Sequence, residues 1–172
     1  MIVALGLLAA AMASCIGLLI LQLGLWRVFS VAPQLQPPQV QPLPETSLTV
    51  VIPAYNEAEN IALCMESVLS STPPCVEWQV LVVDDESSDA TAELAAASAA
   101  HLPHTSAGFS LLSAGPRPAG ERWVGKNWAC TRAMEQVHSD WVLFIDADVQ
   151  LQADALQRAL AQAISDQADL LS

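Results

Sequence analysis

The chain has 172 residues, a net charge of −12 and only six Lys plus Arg. It therefore lacks the clustered cations that grip nucleic-acid phosphates or anionic lipid heads. Hydrophobic residues make up 53% and the mean hydropathy is +0.40, high for a soluble domain, with most of the excess in the first 29 residues. The length allows one domain with a real core plus an appendage. A phosphate-bearing ligand would have to rely on a metal ion, helix N-termini and a few chosen cations.

Met1 to Trp26 carries no charged side chain, and Ile2 to Leu25 is almost wholly apolar. Roughly 20 apolar residues in helical form span a bilayer core, so residues 1–29 are expected to be a transmembrane anchor. Trp26, Arg27 and Phe29 supply interfacial anchors on one side, and the absence of a basic start argues against a cleaved signal peptide. The positive-inside rule, applied to Arg27, puts the rest of the chain in the cytoplasm. Pro33, Pro37, Pro38, Pro42 and Pro44, interleaved with Gln, make residues 30–46 an extended spacer. The domain proper is expected over 47–172.

From Leu48 the pattern alternates between strand and helix. Leu48 to Pro53 is a β-branched run suited to a buried parallel strand. Glu57 to Leu69 places Ile61, Cys64, Met65, Val68 and Leu69 on one helical face. Gln79 to Asp84 is the second strand, Thr91 to Ala100 an Ala-rich helix, and Phe109 to Ser113 a third strand. A Gly/Pro loop covers Ala114 to Gly125, then Asn127 to Val137 reads as helix and Trp141 to Asp146 as a fourth strand. Ala153 to Ile164 forms another helix, and Ala168 to Leu171 opens a further strand. This alternation predicts an α/β fold with a mostly parallel sheet covered by helices on both faces. The natural protein is expected to continue past Ser172. The four cysteines show neither zinc nor disulfide spacing and read as small buried hydrophobes.

Three polar clusters follow strand ends, where such sheets bind ligands. In the first, at Pro53 to Glu57, Asn56 can cap the next helix. Tyr55 offers an aromatic face to a nucleobase, and Glu57 can hold a base or ribose group. In the second, Asp84 and Asp85 crowd two carboxylates at the buried end of a strand, a costly arrangement unless a ligand or hydrogen-bond network uses them. Ser88 or Asp89 can cap the Ala-rich helix. In the third, Asp146 and Asp148 flank Ala147, so an extended backbone would aim both carboxylates at one hard cation. Mg2+ or Mn2+ is the expected cofactor. Between the second and third clusters, Arg122 and Lys126 stand at a helix start, where Lys126 can face a diphosphate.

The succession VVIPAYNEAENI, VVDDESSDAT, GERWVGKNWAC and FIDADV resembles the GT-A-fold, family-2 glycosyltransferases. The third stretch looks like the subgroup containing hopanoid-associated and carotenoid glycosyltransferases. The resemblance covers about Thr49 to Ser172. It implies a nucleotide-binding set of Pro53, Ala54, Tyr55, Glu57, Asp85, Lys126 and Asp146. In it Tyr55 stacks on the base, Asp85 reads the uracil, and Asp146 with Asp148 holds the metal on the diphosphate. Glu86 departs from the usual glycine of that pattern and adds charge beside the nucleotide.

The resemblance further implies inverting transfer of a sugar, UDP-hexose being the expected donor, to a lipid-like hydroxyl such as a hopanoid, carotenoid or polyprenyl phosphate at a membrane. The family's acidic base and later Arg/Trp motif would lie beyond Ser172, so this chain is expected to bind donor and transfer sugar poorly. Two alternatives are a non-catalytic membrane-tethered nucleotide-sugar-binding fragment and a polysaccharide synthase-type transferase. A sugar nucleotidyltransferase lacks support because no Gly-rich loop follows the first strand. A dehydrogenase fails for want of GxGxxG.

Overall fold

The computed structural model describes residues 2–31 (side chains for 11–27 only), 43–101, 107–118, 120 and 126–171. The chain divides into two compact units, Met1–Leu35 and Gln36–Ser172. In the first, α1 runs Ile2–Val31, and its described side chains are exposed throughout, Leu19, Ile20 and Trp26 among them. Among the described residues, no helix is long and apolar enough to cross a membrane. Most of the expected spacer, residues 32–42, lies outside the described residues.

The second unit is built on β1 (Ser47–Ala54), β2 (Glu77–Asp84), β3 (Gly108–Ser113) and β4 (Trp141–Phe144). All pairings are parallel and the strand order is β3-β2-β1-β4. The helices are α2 (Ile61–Leu69), α3 (Thr91–His101), α4 (Asn127–Met134) and α5 (Ala155–Ser165). Strand β1 lies between β2 and β4, which explains its unbroken apolar sequence, since a central parallel strand buries both faces. Val50, Ile52, Val80 and Val82 pack on one face against Ile61, Met65, Ala95, Leu156 and Leu160, from α2, α3 and α5. Val51, Leu81 and Val83 pack on the other against Ala129 and Ala133 of α4. Helices thus cover both faces, as the alternation predicts.

At the amino ends of the strands, the Asp140 carboxylate ties the start of β1 to the start of β4. It accepts from Thr46 Oγ1 at 3.0 Å, Ser47 N at 3.0 Å and Ser47 Oγ at 2.8 Å. These donors favour the charged form and hold its pKa below the usual carboxylate value.

Four local expectations need correction. Helix α2 begins at Ile61 rather than Glu57. The amide of Glu57 is taken by Thr91 Oγ1 at 2.8 Å and that of Ala58 by Asp89 Oδ2 at 3.2 Å, so residues 57–60 make a turn held to the neighbouring loop. Asn56 does not cap that helix, because its backbone is left-handed at φ 54°. Strand β4 ends at Phe144, and Asp146 starts a turn closed by Val149 N donating to its carbonyl at 3.1 Å. Residues 168–171 form no strand, and Leu170 is 85% exposed; an apolar run becomes a strand only where a ladder partner takes up its backbone groups. Of the cysteines, Cys64 and Cys75 are buried and Cys130 partly so, whereas Cys15 is exposed on α1.

Candidate functional site

The carboxyl ends of β1, β2 and β4, with the start of α4, enclose a cleft of about 560 Å3. It lies where the strand order reverses, β1 having been followed by β2 on one side and later by β4 on the other. Such reversals open a crevice because successive crossovers run to opposite faces. Pro53, Ala54, Tyr55, Glu57, Asp85, Lys126, Asp146 and Asp148 all line this cleft, together with Arg117, Ala129 and Ala147. The three clusters and the lysine, spread over nearly a hundred residues of sequence, therefore meet at one rim. Arg122 and Trp123 lie outside the described residues.

One end of the cleft is built from two loops laced together. Asp85 N donates to the Ala54 carbonyl at 2.9 Å, holding the two strand ends in step. Asn56 N donates to Ser87 Oγ at 2.9 Å, and Asn56 Oδ1 accepts from Ser88 N at 2.8 Å and Ser88 Oγ at 3.2 Å. The left-handed backbone at Asn56, a conformation Asn tolerates better than most residues, turns this amide towards the second loop. Thr91 is fully buried; its hydroxyl accepts the Glu57 amide and donates to Asp89 Oδ1. Asp89 also accepts from Thr91 N at 3.0 Å. The cap position itself is Ala90, whose carbonyl accepts the Leu94 amide at 3.0 Å, so Asp89 holds the first helical amide from one residue before the cap. The Asp89 pKa lies below the usual value, chiefly through the Thr91 hydroxyl.

Tyr55 stands above these loops with 58% of its surface exposed, leaving a ring face open. Asp85 is buried at 5% and forms an ion pair through Oδ2 with Arg117 Nη2. Arg117 is the site residue the sequence reading missed. It sits in the Gly/Pro loop after β3, where no periodicity marks it, and its partner is 32 positions away. The available signal was its rarity: a cation just past a strand's carboxyl end in a chain with six. Gly115, at φ 68°, turns the chain after β3, and its carbonyl accepts Trp128 Nε1 at 2.9 Å. Asp84 points elsewhere: Oδ2 accepts Ser87 N at 3.2 Å, and Oδ1 is buried without a partner among the described residues. Glu86, exposed and left-handed at φ 60°, is not among the lining residues. That φ is the physical reason a glycine suits this position.

The other end of the cleft is open. Asp146 and Asp148 are both exposed while Ala147 between them is 3% exposed, so the turn presents two carboxylates with a small buried residue between. Lys126, at the position preceding α4, pairs through Nζ with Asp146 Oδ1, both side chains being more than half exposed. The hydrogen bond to Asp146 raises the lysine pKa. Beneath the turn, Cys64 Sγ lies 3.7 Å from the Asp146 carbonyl. Burial, then the charges of Asp148 and Glu57, push its thiol up to about 11, so it stays protonated and inert.

Among the described residues no group of three or more His, Cys, Asp or Glu could hold a metal through protein ligands alone. Two aspartates still suit Mg2+ or Mn2+, which bind through one or two carboxylates and fill the remaining positions with water and substrate phosphates. Among the described residues, the lining carries four carboxylates, Glu57, Asp85, Asp146 and Asp148, against the two cations Arg117 and Lys126. A divalent cation would neutralise the two-charge deficit of these described residues.

Residues 49–172 match the family model described as glycosyl transferase family 2. The 4,4'-diaponeurosporenoate glycosyltransferase of Staphylococcus haemolyticus is 29% identical over 70% of this chain and 29% of its own length. The undecaprenyl-phosphate 4-deoxy-4-formamido-L-arabinose transferase of Photorhabdus laumondii is 32% identical over 67% of this chain and 33% of its own. Among solved structures, the mannosyltransferase PcManGT from Pyrobaculum calidifontis, in complex with GDP-Man and Mn2+, superposes with a TM-score of 0.57. It is 27% identical and covers 86% of this chain and 40% of its own. The chain thus spans about a third of the length of these curated relatives. The parallel sheet, the cleft at its reversal point and the family match agree: the chain belongs to glycosyl transferase family 2 and carries its GT-A fold.

Proposed function

We propose that this chain is the donor-binding part of a membrane-anchored, metal-dependent, inverting glycosyltransferase that takes a UDP-hexose and serves a lipid-like acceptor hydroxyl. The observation that carries this reading is the convergence of Tyr55, Asp85, Lys126, Asp146 and Asp148 on one cleft at the sheet's reversal point. The exposed ring of Tyr55 suits stacking on a base. The Asp85 carboxylate can accept an imino N–H, and Arg117 beside it can donate to a neighbouring carbonyl, the pattern uracil presents. Glu57 lies within reach of a base or ribose hydroxyl, with the Pro53 and Ala54 strand end as the floor. At the open end, Asp146 and Asp148 would hold Mg2+ or Mn2+, which supplies Lewis-acid stabilisation of the departing diphosphate when bound. Lys126 adds a second positive charge there.

In the transfer itself the acceptor oxygen forms a bond to the anomeric carbon, the bond to the diphosphate oxygen breaks, and the acceptor proton passes to a base. None of the residues in this cleft is assigned that last role. The apolar composition of α1 supports an anchor at residues 1–29, with 30–46 as the spacer and the domain over 47–172 on the cytoplasmic side. The names of the two curated relatives, which specify diaponeurosporenoate and undecaprenyl phosphate, support a lipid-like acceptor.

The test is calorimetric titration of UDP-glucose into the detergent-solubilised full chain, with Mn2+ and with chelator, beside an Asp146→Ala/Asp148→Ala variant of unchanged circular dichroism. Metal-dependent binding by the parent that disappears in the variant is expected. Equal binding with chelator, or binding retained in the variant, would rule out the metal-linked donor site.

A further inference from the structure

The Lys126 ammonium rests against one arm of the Asp146–Asp148 pair. It reaches there from the turn before α4, a different part of the chain from the Asp146 turn, and pairs with Asp146 Oδ1 while remaining 57% exposed. The two aspartates therefore differ: Asp146 is neutralised, whereas Asp148 forms no ion pair among the described residues. Arg117, the other cation lining the cleft among the described residues, pairs with Asp85.

Resting on the donor-site reading above, we propose that Lys126 is a resident counterion of Asp146, displaced by the divalent metal and received by the incoming diphosphate. An ammonium and a divalent ion repel each other, so metal binding on its own must break the pair and strand a lysine beside a cation. When a nucleoside diphosphate arrives with the metal, the released ammonium gains a new anion and the cost is offset. Metal and nucleotide then bind cooperatively, and the coupling is reciprocal. Lysine suits the role because its charge sits on a flexible stem, whereas an arginine fork would be held to a fixed geometry. The pair is exposed, so the hold it exerts is modest, equivalent to an affinity change of about five-fold.

Mn2+ binding to the full chain, followed by the loss of the free-ion paramagnetic resonance signal with and without UDP, separates the possibilities. Lys126→Met is expected to bind Mn2+ about five-fold more tightly than the parent without UDP, and to show about five-fold less tightening by UDP than the parent does. Lys126→Arg, which keeps the charge, should return most of the parent's weak metal binding. Arg132→Met, the same charge change within α4 but at a residue paired with Glu135, should leave Mn2+ affinity unchanged. Equal Mn2+ affinity in Lys126→Met and the parent, with UDP still tightening the parent, would overturn the counterion role and leave the donor site standing. An equal gain in Arg132→Met would also overturn it, by showing a general charge effect. If UDP and Mn2+ ignore each other in the parent, both readings fall.

Discussion

The two ends of the cleft are built on opposite principles. At the end lined by Tyr55 and Asp85, Asp85 is 5% exposed, Thr91 is fully buried, and a lattice of bonds joins residues 54–58 to residues 85–91. At the other end, Lys126 and Asp146 are each more than half exposed and form an ion pair with one another. The first end is organised before any ligand arrives, so its binding loses little conformational freedom. The second carries its charge deficit in solvent, where ions can exchange readily.

The contrast can be broken by substitution. Thr91→Val should have the largest effect, since it leaves the Glu57 amide and Asp89 without their buried partner. A loss of about 2 kcal/mol in urea unfolding is expected, and a loss below about 0.5 kcal/mol would show that the loops do not depend on this hydroxyl. Glu86→Gly should act the other way. Relief of a left-handed backbone at φ 60° is expected to raise stability by about 0.5–1 kcal/mol. Because Glu86 does not line the cleft, UDP affinity should stay within about two-fold. A fall in thermal midpoint would mean that the glutamate side chain compensates for its backbone.

Acid sensitivity sharpens the same contrast. The pKa of Asp89 is depressed in the folded chain, so its bonds contribute fully above the ordinary value of 3.8 and fade as pH falls through the lower folded value. Unfolding followed from pH 6 downwards should show a shallower acid limb in Asp89→Asn than in the parent; identical limbs would remove Asp89 from the lattice. The smallest expected effect on stability belongs to Asp148→Asn at the open end, within about 0.5 kcal/mol of the parent. That same variant should lose much of the Mn2+-dependent binding of UDP-glucose. A large loss of stability would show that the open end also supports the fold.

Much of this was legible in the sequence because its signals are local and repeated. The runs at Leu48 to Pro53 and Gln79 to Asp84 announce strands, and their order with the intervening helices implies which ends meet. The cleft followed from that geometry, since parallel strands deliver their terminal residues to one edge. What the sequence hid were contacts between loops. Asn56 reads as a helix cap when only its neighbours are considered, yet its partner is Ser88, 32 residues on. Arg117 lies in a loop with no period, and only folding brings it to Asp85. The expectation that Asp146 and Asp148 face one side through an extended backbone also needed revision. Their shared exposure comes from a turn, in which hydrogen bonding rather than pleating sets direction. Ala168 to Leu171 shows the reverse failure, an apolar run without a ladder to join.

The lacing of Asn56 to Ser87 and Ser88 carries a consequence for redesign. The two loops are one unit of variation: a graft that exchanges residues 55–58 without 86–91 would orphan donors and acceptors on both sides. Libraries aimed at a different ligand should therefore diversify both loops jointly and keep the Asn56 amide and its two serine partners as fixed joints. Chimaeras cut between the two loops would be expected to inherit neither parent's selectivity.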